Sequence, residues 1–208
     1  MRYLYYAGLI LLALFEFLNV YFIMPMPGSQ PLDAVGLAYI LYRNRWIFRI
    51  VLLATAAAGA NSAWRNTSKW KPAVPLVISL MVGYVFNFQL NADHMFLQPG
   101  TVRFADASKV RNDSTVVMTA TLNGQSKAWP MRYLIYHHQV KDTLGGRPIL
   151  VTYCSVCRTG RIFEPLVNGQ PETFRLVGMS RFNAMLEDSR TGSWWRQANV
   201  RPSQAVDR

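Results

Sequence analysis

The sequence predicts an α+β protein, with three N-terminal transmembrane helices followed by a mostly β soluble domain. Three observations lead there. Apolar runs long enough to cross a bilayer core, which takes about 20 residues, are confined to residues 1–90. From residue 115 onward, β-prone runs alternate with turn signals, two of them Asn-Gly pairs. After Asn91 no comparable apolar run appears. The 208 residues therefore divide into an anchor, 1–90, and a soluble domain, 91–208, where most of the chemistry belongs.

The first span covers residues 3–23, "YLYYAGLILLALFEFLNVYFI", with one acidic residue, Glu16. It is too long for a signal-peptide core and lacks a small-x-small cleavage site. The second, 46–64, is apolar except for Arg49, placed where an arginine can snorkel to the headgroups. The third, 72–90, has no charge. The short loop "RNTSKWK" carries Arg65, Lys69 and Lys71, whereas "MPMPGSQPLDA" carries no basic residue. Basic loops stay cytoplasmic, so the expected location is a bacterial inner membrane, multi-pass, with the C-terminal domain on the periplasmic or outer side. "YRNRWIFR" opposes that placement unless it lies in the interface as part of an amphipathic segment from about Leu37.

The formal net charge is +11. The anchor holds 7 basic against 2 acidic residues and the remainder 15 against 9. A basic surface beside anionic lipid accounts for this, making the lipid bilayer the expected partner. The basic residues are dispersed and accompany no recognition motif, so no nucleic acid is expected as a partner.

In the soluble domain, "STVVMTATL" and "SKAWPMRYL" flank Asn123-Gly124, a hairpin signal. "MRYLIYHHQVKD" suits a short helix with Leu134, His137 and Val140 on one face. "PILVTYC" is β-branched and apolar, a buried strand. "GRIFEPLV" and "PETFRLVG" around Asn168-Gly169 repeat the hairpin signal, and "SWWRQ" suits a packing strand. "SQPLDA" and the stretch near Gln98-Pro99-Gly100 are the main linkers; no internal repeat occurs.

Both cysteines of the chain lie in "YCSVCRTGR", as Cys154 and Cys157. Thiols at this spacing can close a small disulfide ring or share a metal. Arg158 and Arg161 flank them and would favour a thiolate if they face it. Glycine, β-branched and aromatic residues follow in place of a helix, which argues against a thioredoxin fold. Arg158 stands where a c-type haem motif needs histidine. A four-cysteine zinc site is excluded by number. Three readings remain. An envelope thiol protein would use Cys154 as nucleophile, Cys157 as resolving thiol and His137 as base, acting on an envelope redox partner. A metal-site module would use Cys154, Cys157, His137 and Met179, a donor set suited to copper or zinc. A non-enzymatic interaction domain would keep the cysteines as a structural pair.

"HHQVKDTLGGRPILVTYCSVCRTG" and "TFRLVGMSRFNAMLEDSRTGSWWRQ" together resemble domain-of-unknown-function family 3179, over about residues 91–198. The resemblance falls on His137, Asp142, Gly145, Gly146, Tyr153, Cys154, Cys157, Gly178, Asn183, Asp188, Thr191, Trp195 and Gln197. The spans ahead of it resemble a membrane-anchored subset of the family. Some relatives are described as selenoproteins, with selenocysteine at a cysteine of this motif. That implies redox or soft-metal chemistry over packing. Family domains continue further past the Trp-Gln element than the tail "ANVRPSQAVDR", so the resemblance implies an incomplete domain.

Overall fold

The computed structural model describes residues 1–100, 102–106, 108 and 114–199, and the backbone of 201–204. The chain separates into two compact units, Met1–Met95 and Phe96–Arg208.

The first unit is helical. Helix α1 spans Arg2–Tyr21, α2 Val35–Arg43, α3 Arg45–Arg65 and α4 Trp70–Tyr84. A π-helical turn, Val85–Gln89, extends α4, and the short α5, Ala92–Met95, follows. Three of these helical segments, Arg2–Tyr21, Arg45–Arg65 and Trp70–Gln89, are long and apolar enough to cross a membrane. Their exposed residues include Ile10, Leu11, Ile50, Val51, Leu53, Val77, Ile78 and Leu80. An apolar exterior of this kind suits lipid as the surrounding solvent. The "LAYILYR" segment forms α2, separate from the span that follows it.

Lipid supplies little hydrophobic drive between helices, so close backbone approach has to hold them. Gly59 of α3 provides it: a Cβ there would lie 2.3 Å from the Tyr5 nitrogen of α1. The one acidic residue of the spans is neutralised from both neighbours. Arg49 donates through Nε to Glu16 Oε1 at 2.7 Å and through Nη2 to Oε2 at 2.9 Å. Asn87, in the π-helical turn, donates to Glu16 Oε2 at 2.8 Å and accepts from Arg49. One buried carboxylate thus joins all three segments.

The second unit is mostly β. Strands β1 (Val117–Leu122) and β2 (Gln125–Pro130) form an antiparallel hairpin, and α6 (Met131–His137) follows at once. Strands β3 (Gln139–Leu144), β4 (Arg147–Cys154) and β5 (Thr159–Phe163) form a three-stranded antiparallel meander. The small hairpin of β6 (Leu166–Val167) and β7 (Gln170–Pro171) comes next. Strands β8 (Phe174–Ser180), β9 (Asn183–Asp188), β10 (Trp194–Arg196) and β11 (Arg201–Gln204) make a sheet in the order β11-β10-β9-β8.

The Asn123-Gly124 hairpin and the buried "PILVTYC" strand form as the sequence predicts. Two expectations change. The helix stops at His137, because His138 adopts a left-handed conformation with φ of 63° and Gln139 begins β3. Val140 is therefore a strand residue. The Asn168-Gly169 turn closes only a two-residue ladder, while the longer flanking runs pair elsewhere, β5 with β4 and β8 with β9. Pro165 and Pro171 lack the N–H that a longer ladder needs. Part of the C-terminal tail supplies β11.

Strand β4 is buried on both faces. Ile149 and Val151 enter one core cluster with Trp129, Leu134, Val140 and Leu144. Leu150 and Cys154 enter another with Val167, Phe174, Leu176, Ala184 and Leu186. At the far end of β4, Gly145 has φ of +55°, and a Cβ there would lie 2.5 Å from the Leu122 carbonyl oxygen. Only glycine fits that approach of the β3–β4 turn to the β1–β2 hairpin.

Breaking the Glu16–Arg49 pair should destabilise the helical unit. Arg49→Met leaves an uncompensated buried carboxylate, at a cost of about 3–5 kcal/mol. Adding Glu16→Gln should recover most of that loss. Helical circular dichroism during thermal unfolding in lipid nanodiscs measures both. A single variant as stable as the parent would show that the pair contributes nothing.

Candidate functional site: a dithiol turn held by two hairpins

The four residues Ser155 to Arg158 form the turn between β4 and β5, with Cys154 opposite Thr159 in register. Arg158 closes the turn at φ of 50°. The two cysteines are free thiols, Cys154 buried and Cys157 half-buried. The Cys157 N–H points at Cys154 Sγ, 3.4 Å away, and the Cys157 thiol donates to the Cys154 carbonyl at 3.9 Å.

The turn between β8 and β9 contributes the rest. Arg181 and Phe182 both have positive φ, 48° and 59°. A two-residue turn of this kind normally draws Asn or Gly, and a bulky residue there is strained. The turn brings backbone and side chain to the sulfurs. The Phe182 carbonyl accepts from Cys154 Sγ at 3.6 Å, and Asn183 Nδ2 donates to Cys157 Sγ at 3.5 Å.

Burial pushes the Cys154 thiol above its ordinary pKa, with the neighbouring Cys157 adding to the effect. The flanking arginines do not reverse this: Arg158 is exposed, and Arg161 donates through Nε to the Ala198 carbonyl at 2.8 Å. Cys154 is 0% exposed. Of the two sulfurs, Cys157 is the one open to solvent, and a thiol that attacks has to be reachable.

His137 sits at the end of α6, where Nδ1 meets the Leu97 carbonyl at 2.5 Å. None of the described hydrogen bonds joins it to either sulfur. His138 is the histidine tied to the cysteine strand. Its Nδ1 donates to the Tyr153 carbonyl at 3.1 Å, and its own carbonyl accepts from the Tyr153 N–H at 2.9 Å. Burial lowers the His138 pKa, opposed by the bond to Tyr153. Met179 is buried in β8, opposite Ala184. Among the described residues no group of three or more His, Cys, Asp or Glu side chains comes together where it could hold a metal ion. The sulfurs are two donors, short of the set expected for copper or zinc.

The remaining motif residues are supports. Asp188 is fully buried and accepts from the Thr191 N–H at 2.6 Å, the Ser193 N–H at 3.2 Å and Trp195 Nε1 at 2.8 Å. Burial raises its pKa, but these bonds and the Thr191 hydroxyl outweigh that and leave it below the usual carboxylate value. Asp142 receives Lys127 Nζ at 2.8 Å and Trp129 Nε1 at 3.1 Å, joining β2 to β3. Gln197 crosses between sheets. Its Nε2 donates to Thr152 Oγ1 at 2.9 Å and to the Thr159 carbonyl at 3.1 Å, and its backbone N–H reaches the Ala184 carbonyl. The cysteine hairpin is thereby fixed against β9.

Fold and site define a β-rich domain with a dithiol turn, in a chain whose N-terminal helices could cross a membrane. Residues 96–204, just over half of the chain, match the family described as "Protein of unknown function (DUF3179)", and the chain belongs to that family. Neither a curated protein nor a solved structure matches the chain.

Two outcomes test the site. The thiol exposures predict that iodoacetamide at pH 8 modifies Cys157 before Cys154, read by mass spectrometry of timed samples. Equal rates, or faster modification of Cys154, would contradict the difference in exposure. The His138 shift sets an acid limit. The folded domain resists protonating His138, whereas the unfolded chain takes the proton near pH 6.5. Stability should be complete above about pH 6.5 and fall as the pH drops from there toward the lowered folded value. His138→Asn, which tolerates the left-handed backbone, should flatten the melting profile between pH 7 and 5. An unchanged slope would assign it to other groups.

Proposed function

We propose that this chain is a membrane-anchored thiol protein whose Cys154–Cys157 pair exchanges with a disulfide on a partner in the cell envelope. One observation carries the reading. A reachable thiol with a side-chain N–H donor lies within one turn of a second, buried thiol, and both are unbridged. The order of steps follows. Cys157 thiolate attacks one sulfur of the partner disulfide, the S–S bond breaks, and the leaving sulfur takes up a proton. Cys154 then loses its proton and attacks Cys157 Sγ. The mixed disulfide breaks and the partner leaves as a dithiol. The pair has given two electrons and two protons and become a disulfide. A high pKa on Cys154 keeps that thiol protonated in reserve until the mixed disulfide brings the target sulfur to it. Phe182 and Val156 support a polypeptide as the partner, since they stand 50% and 53% exposed at the tips of the two turns that meet at the site.

Lysine and arginine placement in the anchor supports an outward-facing domain on a bacterial inner membrane, a compartment in which disulfides form. Protease added to spheroplasts should cut the chain after Asn91. Protection there, with cleavage only in inverted vesicles, would reverse the orientation.

Serine variants separate the roles. With oxidised glutathione, Cys154→Ser should accumulate a mixed disulfide at Cys157, because the resolving thiol is gone. Cys157→Ser should accumulate little, and the parent should close an internal disulfide that dithiothreitol reopens. Intact-mass measurement reads all three. The Phe182 carbonyl can accept from the new hydroxyl of Cys154→Ser, which limits the burial cost of about 1–3 kcal/mol for an unpaired group. A parent that never closes the bond across a glutathione titration would make the pair purely structural.

A further inference from the structure

A second candidate site lies on the α6 side of the same domain, away from the chemistry of the cysteines. A cavity of about 440 Å³ opens between the extended segment 102–106 and the β2–α6 junction. Its size falls in the range of small-molecule sites, roughly 300–1,000 Å³. Trp129, Leu134 and Val140, all buried, belong to its lining. Phe104 packs edge-on against Trp129, with ring centres 6.3 Å apart, and extends the same wall, capped by Lys127 Nζ 4.4 Å from its centroid.

Among the described lining residues there is no carboxylate, whereas Arg103, Tyr133 and His137 are present. Arg103 has no ion pair or hydrogen bond to any described residue. The Tyr133 hydroxyl accepts from Arg132 Nη2 at 3.1 Å, which leaves its own proton to donate. His137 Nδ1 must carry its proton, because its partner is a carbonyl, so Nε2 is the remaining polar atom of the ring. An aromatic and aliphatic wall with a guanidinium unpaired among the described residues and a phenol donor suits an apolar body with an anionic head.

We propose that this cavity binds a small apolar carboxylate, its body against the wall that Phe104 and Trp129 form together and its carboxylate on Arg103 and Tyr133. Such a carboxylate can be an arylalkanoate or a short acyl chain. Phenylpropionate and hexanoate therefore serve as parallel probes. Isothermal titration into the full chain in lipid nanodiscs, against empty nanodiscs, should give saturable binding of at least one. The tighter of the two identifies the source. Arg103→Ala should weaken it about tenfold or more, the loss expected for a charge-assisted contact. The corresponding neutral amide should be weakened similarly on the parent, and Tyr133→Phe should lower affinity while leaving the ring in place. Both side chains are exposed, so folding should not suffer, and unchanged circular dichroism checks that. No saturable binding above empty nanodiscs overturns the proposal. So does equal affinity for acid and amide, or affinity indifferent to Arg103→Ala.

Discussion

Strand β4 has no solvent face to spare, and the domain is arranged around that constraint. Its alternate side chains enter two separate apolar clusters, Ile149 and Val151 on one side, Leu150 and Cys154 on the other. A strand covered on both faces cannot slip by one residue without exchanging its two core sets. Its last residue is Cys154, so the position of one sulfur is fixed by the packing of the strand. The same burial that anchors this sulfur disfavours its charge. Cys157, three residues on, has left the strand and regains access to solvent. Two thiols of one short motif thereby acquire different chemistry from the point at which the chain leaves the core.

Most of the remaining motif residues build the frame around that point. Asp188 gathers backbone and indole donors from the loop leading into β10. Gln197 then joins Thr152 of β4 and Thr159 of β5 to the sheet that carries β9. Each bond alone is a modest net gain of about 1 kcal/mol, but an unmade one in such a buried place is costly. That asymmetry makes the network specify a single arrangement. The turn at Arg181-Phe182 is held in an unfavourable backbone region while its carbonyl and the next side chain face the sulfurs.

What could be read from the sequence were the features that depend on near neighbours. Apolar length marked the three long helical segments, Asn123-Gly124 marked a hairpin, and the β-branched run ending at Cys154 marked the central strand. Features set by distant pairing were hidden. Nothing in "HHQV" announces a helix end at His138, because that end follows from Gln139 pairing with Thr152. The two central residues of "SRFN", Arg181 and Phe182, are not ones that signal a tight turn, yet β8 and β9 meet there. The unequal burial of the two cysteines was unreadable for the same reason: Cys154 shares its buried cluster with Ala184 and Leu186, about thirty residues downstream.

The carboxylate that joins the three apolar helices has a consequence for how the protein is made. Glu16 is synthesised 33 residues before the arginine that neutralises it and 71 before Asn87. At about 5–20 residues per second, roughly two to seven seconds separate the carboxylate from its guanidinium partner. During that interval a lone acidic side chain would make entry of α1 into hydrocarbon as an independent unit costly. In a membrane, such a pair would favour joint entry, the first helix held back until the second emerges and the two partition into lipid together.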